Sequence, residues 1–201
     1  DVGSLENIQH GLVREALRLT GIESGVEITT IADIPGQGTG LGSSSSVTVG
    51  LLNAMHAFQG REASKDQLAE EACQIEIDTL GAPIGRQDQY AASFGGVNSI
   101  RFGKNGVQVE PIEISEGLAK KFSENFTLVF TGMTRSASKV LSKQSDDESD
   151  KNNRMREIRK HADEAASFIQ QGDLDSLGAI LNQTWISKRG VSSMITNTQI
   201  D

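Results

Sequence analysis

The chain has 201 residues, 36% of them hydrophobic and 23% charged, which gives room for one large domain or two small ones around a real core. Its net charge of -8 sets the surface against nucleic acid and anionic membrane faces, and no apolar run reaches membrane-spanning length, so small molecules and proteins are the expected partners. The single cysteine, Cys73, excludes an internal disulfide framework and, with no signal peptide opening the chain, fits a reducing cytoplasm; the scattered His10, His56 and His161 give no zinc-ligand spacing.

In chain order, Ser4 opens a helical pattern with Ile8, Leu12, Ala16 and Leu19 on one face, stopped by Gly21. The run GVEITTIADI alternates, with Val26, Ile28, Thr30 and Ala32 on one side, and reads as a strand. After the segment IPGQGTGLGSSSS, the positions Val47, Leu51, Met55 and Phe58 keep helical spacing, so the serines open a helix. The next helix starts at Ser64, with Gln67 at capping-box distance, and ends near Gly81. A turn-rich stretch, GAPIGRQDQY, follows.

The runs GVNSIRF and VQVEPIEI around GKNG form a hairpin, and polar residues from Ser115 to Glu124 lead into a strand, NFTLVFTG. Residues from Lys143 to Asn153 read as a mobile loop. Met155, Ile158, Ala162, Ala165 and Ile169, then Leu174, Leu177, Leu181 and Trp185, give a helical hairpin broken at QGD. Its stripes are first a core; a homodimer is their second use. The pattern is α+β, with a lobe boundary near 112, giving lobes 1–112 and 113–201.

The glycine-serine segment has two readings, a flexible linker or a phosphate cradle. Glycines at 36, 38, 40 and 42 let the backbone approach a ligand, and the serines behind them open a helix whose free N–H groups favour an anion. A Walker loop is excluded, because no lysine or arginine occurs from Ile31 to Gly60. The dinucleotide fingerprint fails too: counting from Gly36, Gly38 or Gly40, its third glycine falls on Leu41, Ser43 or Ser45.

Two carboxylates lie downstream. Glu76 sits at the edge of an apolar helix face, where a bare charge is costly and calls for a partner or a metal. Asp88 follows twelve residues later. Solvated or capping carboxylates are one reading. With a phosphate loop nearby, the other is phosphoryl transfer, one carboxylate holding Mg²⁺ and one orienting the accepting hydroxyl.

The segment PGQGTGLGSSSS resembles the second signature of the GHMP kinases, the superfamily of galactokinase, homoserine kinase, mevalonate kinase and phosphomevalonate kinase. The resemblance implies a two-lobed fold, with a ribosomal-protein-like first lobe and a ferredoxin-like second lobe. It implies ATP phosphates wrapped by Pro35, Gly36, Gly38, Gly40, Leu41, Gly42, Ser43, Ser44 and Ser45, with Ser44 and Glu76 at Mg²⁺. GRQDQYAASFGG resembles the family's acceptor segment, making Asp88 the catalytic base or orienter and Arg86 the cation that keeps it ionised.

Together with TGMTRSAS, these stretches are similar to the bacterial heptose kinases, which implies transfer to the anomeric hydroxyl of a heptose 7-phosphate, with Arg135 on the sugar's own phosphate. Galactose-, fucose- and mevalonate-type kinases, and a non-catalytic nucleotide-binding module, remain alternatives. The family's early sugar-binding strand and late glycine-rich loop are not in this sequence, which therefore reads as truncated at both ends.

Overall fold

The computed structural model describes residues 2–31, 40–130, 148–191, 195–197 and 200. They fall into two compact units, one within Asp1–Gly95 and one within Gly96–Met133 and Ser142–Asp201.

The first unit is helical. A 3-10 turn at Leu5–Asn7 precedes α1, Gly11–Thr20, so the helix expected from Ser4 starts seven residues later. It ends where expected: Gly21 is left-handed (φ 73°), and the N–H of Ile22 closes back on the carbonyl of Leu17. Helix α2 spans Ser43–Phe58, with the serines in its first turn as the spacing predicts. Helix α3, Lys65–Cys73, begins on Ser64, whose hydroxyl accepts from the N–H of Gln67. It runs on as a π-helical turn, Gln74–Thr79. Residues 81–86 are irregular, as the turn-rich segment predicts, but its last four residues enter helix α4, Gln87–Phe94, so Asp88 lies in a helical first turn. Ala16, Leu17, Leu52, Leu68, Ala72 and Ile75 are among the residues that join α1, α2 and α3 in one core.

The strand expected from Val26 is corrected by the structure. The described residues 26–31 pair with no other strand, and Ile31 is 91% exposed. They line an apolar cavity of about 480 Å³ along α2, beside Val47, Leu51 and Met55. Alternation favours an extended chain, but a strand also needs a neighbour for its N–H and C=O groups.

In the second unit, β1 (Asn98–Gly103) and β2 (Gly106–Pro111) form the expected antiparallel hairpin, with Ile100 opposite Val109 and Phe102 opposite Val107. Helix α5, Glu116–Asn125, occupies the polar stretch that had no predicted element, and Ser115 caps it by accepting from Leu118 N. The strand expected at NFTLVFTG is likewise absent from the described residues 126–130, where Leu128 is 79% exposed.

Helix α6, Glu148–Gln171, starts inside the stretch expected to be a loop. A charge pair supports its polar start: Arg154 donates to Asp150, one turn earlier, at 2.8 Å. Residues 143–147 of that expected loop lie outside the described residues. Helix α7, Leu174–Arg189, completes the helical hairpin after Gly172 (φ 71°), with Asp173 accepting from Ser176 N. His161 against Thr184 at 3.0 Å, and Ser187 donating to Glu157 at 3.0 Å, join α6 to α7.

Candidate functional site

The first unit brings together three parts that are far apart in sequence. The end of the glycine segment feeds α2 through Gly42, which takes the N-cap position at φ 66°. A glycine there leaves the first helical turn without a capping side chain, a setting in which an anion can take the cap's place. The left-handed backbone is one reason for a glycine, and proximity is another. A Cβ on Gly42 would stand 3.4 Å from Asp88 Cγ and 3.6 Å from Asp88 Oδ2.

Ser44, on the first turn of α2, donates its hydroxyl to Glu76 Oε2 at 2.8 Å across 32 residues of sequence. Thr48 Oγ1 in turn donates to the Ser44 carbonyl at 2.9 Å, fastening that turn. Glu76 lies on the π-helical turn and is 3% exposed. Its other oxygen, Oε1, accepts from Gln89 Nε2 at 3.0 Å. Both partners are neutral, and among the described residues no basic group pairs with this carboxylate. A buried carboxylate with neutral partners only is an electrostatic deficit that a cation would remove.

The donor set suits Mg²⁺. A serine hydroxyl and a carboxylate are hard oxygen ligands, and Mg²⁺ takes one or two carboxylates with phosphates and waters at about 2.0–2.1 Å.

Asp88 is exposed beside Gly42 and, among the described residues, its carboxylate has no hydrogen bond or ion pair. Its position in the first turn of α4 places its charge near the positive end of a helix. The cation expected to serve it points elsewhere. Arg86 pairs with Glu70 on α3 and lies 5.8 Å over the Tyr90 ring, while the Tyr90 hydroxyl also donates to Glu70. Burial, and then the Glu70 carboxylate, push the Tyr90 hydroxyl well above its ordinary range, so it stays a donor. Arg86 thus ties α3 to α4.

Of the residues expected at the phosphates, Gly40, Leu41, Gly42, Ser43, Ser44 and Ser45 lie at or before the start of α2. Pro35, Gly36 and Gly38 lie outside the described residues, as does Arg135. The sequence reading missed Gln89 and Thr48, both fully buried. A polar residue directly after Asp88 was the only available signal for Gln89, since helix α4 was not anticipated.

Residues 7–96 match the model of the GHMP kinases N terminal domain. The chain is 31% identical over 175 residues to the D-glycero-alpha-D-manno-heptose 7-phosphate kinase of Campylobacter jejuni, covering 86% of this chain and 51% of that protein. It is 26% identical over 194 residues to the L-fucokinase/L-fucose-1-P guanylyltransferase of Bacteroides fragilis, covering 92% of this chain and 20% of that protein. Among solved structures it is similar to a D-glycero-D-manno-heptose 1-phosphate kinase from Bacteroides thetaiotaomicron, with TM-score 0.74, 27% identity, and coverage of 90% of this chain and 55% of that one. The chain spans about half the length of the heptose kinases it matches.

Proposed function

The chain carries a GHMP kinase N-terminal domain over residues 7–96, and from that premise we propose that it takes part in transferring the γ-phosphoryl group of ATP to a hydroxyl, the anomeric one, of a heptose phosphate. The observation that carries this reading is the meeting of Gly42, Asp88, Ser44 and Glu76 at the start of α2. Backbone N–H groups of the Gly40–Ser45 turn hold the ATP phosphates without a lysine. Ser44 and Glu76 hold Mg²⁺, which when bound neutralises charge on the phosphate oxygens. Asp88 receives the proton of the sugar hydroxyl or aims its oxygen at the phosphorus.

Arg86 enters the proposal as the anchor of α4, which carries Asp88, and no longer as a direct partner of that carboxylate. Arg135 is proposed for the sugar's own phosphate, where a guanidinium gives two parallel donors. Residues 1–112 and 113–201 are proposed as parts of the two GHMP lobes. The heptose preference draws its support from the names of two matched proteins.

The test is ADP release by the protein with ATP, Mg²⁺ and a panel of sugars and sugar phosphates, for the wild type and for Asp88→Asn. The proposal expects turnover with heptose phosphates, and a loss of about 10²–10⁴-fold in Asp88→Asn with ATP affinity unchanged. Near-normal turnover by that variant removes Asp88 from the chemistry. A second reading, nucleotide binding without turnover by this stretch alone, is favoured by its spanning half of a relative's length. It predicts bound ATP and silence across the panel.

A further inference from the structure

We infer that Gln89 is a positioning residue for the metal carboxylate, and that it sets the spacing between Glu76 and Asp88; this rests on the metal role proposed above for Glu76. Gln89 is fully buried, and its Nε2 donates to Glu76 Oε1 at 3.0 Å, while its own Oε1 has no hydrogen-bond partner among the described residues. Turning the amide over would not cure this, because two acceptors would then face each other across that distance. The amide therefore presents its NH₂ group to Glu76, and the unpaired carbonyl is the consequence.

Packing alone gives no reason for a glutamine here. Methionine fills a similar volume and has no carbonyl to orphan; what it would leave without a donor is Glu76 Oε1. What glutamine adds is a grip on one carboxylate oxygen, leaving the other, Oε2, directed at Ser44. Glu76 sits on a π-helical turn, where local winding departs from the regular helix, so its direction gains a second fixed point from outside α3.

Placement in sequence extends the role. Gln89 directly follows Asp88 in the first turn of α4, one side chain exposed beside Gly42 and the other turned inward to Glu76. One helical turn thereby holds both carboxylates in register. Metal ligands are commonly oriented in this way by a hydrogen-bonded neighbour.

The experiment compares wild type, Gln89→Met, Glu76→Gln and the double variant. Mn²⁺ affinity is measured by water-proton relaxation in the presence of a non-hydrolysable ATP analogue, and melting is followed without metal. Gln89→Met is expected to weaken Mn²⁺ by about 10-fold or more, and its metal-free melting temperature should fall, because Glu76 keeps its charge and loses one of its two hydrogen bonds. The double variant should bind Mn²⁺ no more weakly than Glu76→Gln alone, because both changes remove the same interaction.

Wild-type Mn²⁺ affinity in Gln89→Met, with Glu76→Gln impaired, overturns the inference and leaves the metal reading standing. Wild-type affinity in Glu76→Gln overturns the metal reading itself. A lowered melting temperature with unchanged Mn²⁺ affinity assigns Gln89 to packing. If the methionine variant does not fold, Gln89→Leu takes its place with the same expected loss. Failure of both to fold also overturns the inference, which requires an apolar side chain to fit.

Discussion

Neutralising Glu76 should stabilise the metal-free protein while removing its response to Mg²⁺. The carboxylate is 3% exposed and is held by Ser44 and Gln89, both neutral. Burying such a charge costs several kcal/mol even after relaxation, and hydrogen bonds to it return about 1.5–3 kcal/mol each. Two of these leave the wild type near balance. Glu76→Gln removes the charge and keeps the Ser44 hydroxyl as a donor. Its new NH₂ group can meet Gln89 Oε1, a buried atom without a partner among the described residues, once that amide turns over.

The expected gain is about 1 kcal/mol, or ~4–8 °C in melting temperature for a unit of this size. The assay is thermal unfolding of both proteins with and without Mg²⁺ and ATP. Wild type should gain from the ligands, and the variant should gain far less. A metal-free variant that melts below wild type would show instead that the Glu76 charge is compensated within the protein.

Gly42→Ala places a side chain at φ 66° and a Cβ 3.4 Å from Asp88 Cγ; a cost of about 1–2 kcal/mol and weakened ATP binding are expected, read by melting and calorimetry. Ser64→Ala deletes the cap of α3 and should cost about 1 kcal/mol in a denaturant titration. A hydrogen bond from Arg18 outweighs burial and, with Arg14, holds the Glu15 carboxyl below its ordinary range. Its folded value is the lower one, so its stabilisation is fully present above the ordinary carboxylate range and is lost as pH falls from that range through the lowered folded value. Glu15→Gln should flatten the acid side of the stability profile, and an unchanged profile would contradict this.

Features written in local sequence were the ones that could be read from it. Ser64 with Gln67, Gly21 after a periodic run, and QGD between two stripes each encode a cap or a stop within a few residues. The strands expected at Val26 and Phe126 needed distant partners, and among the described residues neither run has one. Helix α4 was hidden behind the glycines and proline of GAPIG, which obscure a start at Gln87. Helix α5 lies in polar sequence that was read only as a lead-in to a strand. Within the site, the residue types at 44, 76 and 88 were legible. The bond from Ser44 to Glu76 was not, because nothing local to either residue specifies a partner 32 positions away. The Arg86 to Glu70 pair was hidden for the same reason: Asp88 is the carboxylate near in sequence, and Glu70 is the one that α3 brings to the guanidinium.

Backbone amide NMR during titration with ATP and Mg²⁺ reads directly whether the start of α2 receives a nucleotide's phosphates beside Asp88. The largest shifts are expected at Gly40, Gly42, Ser44 and Ser45, with Asp88 and Gln89 following. Saturable ATP binding that leaves those amides unmoved would contradict that placement.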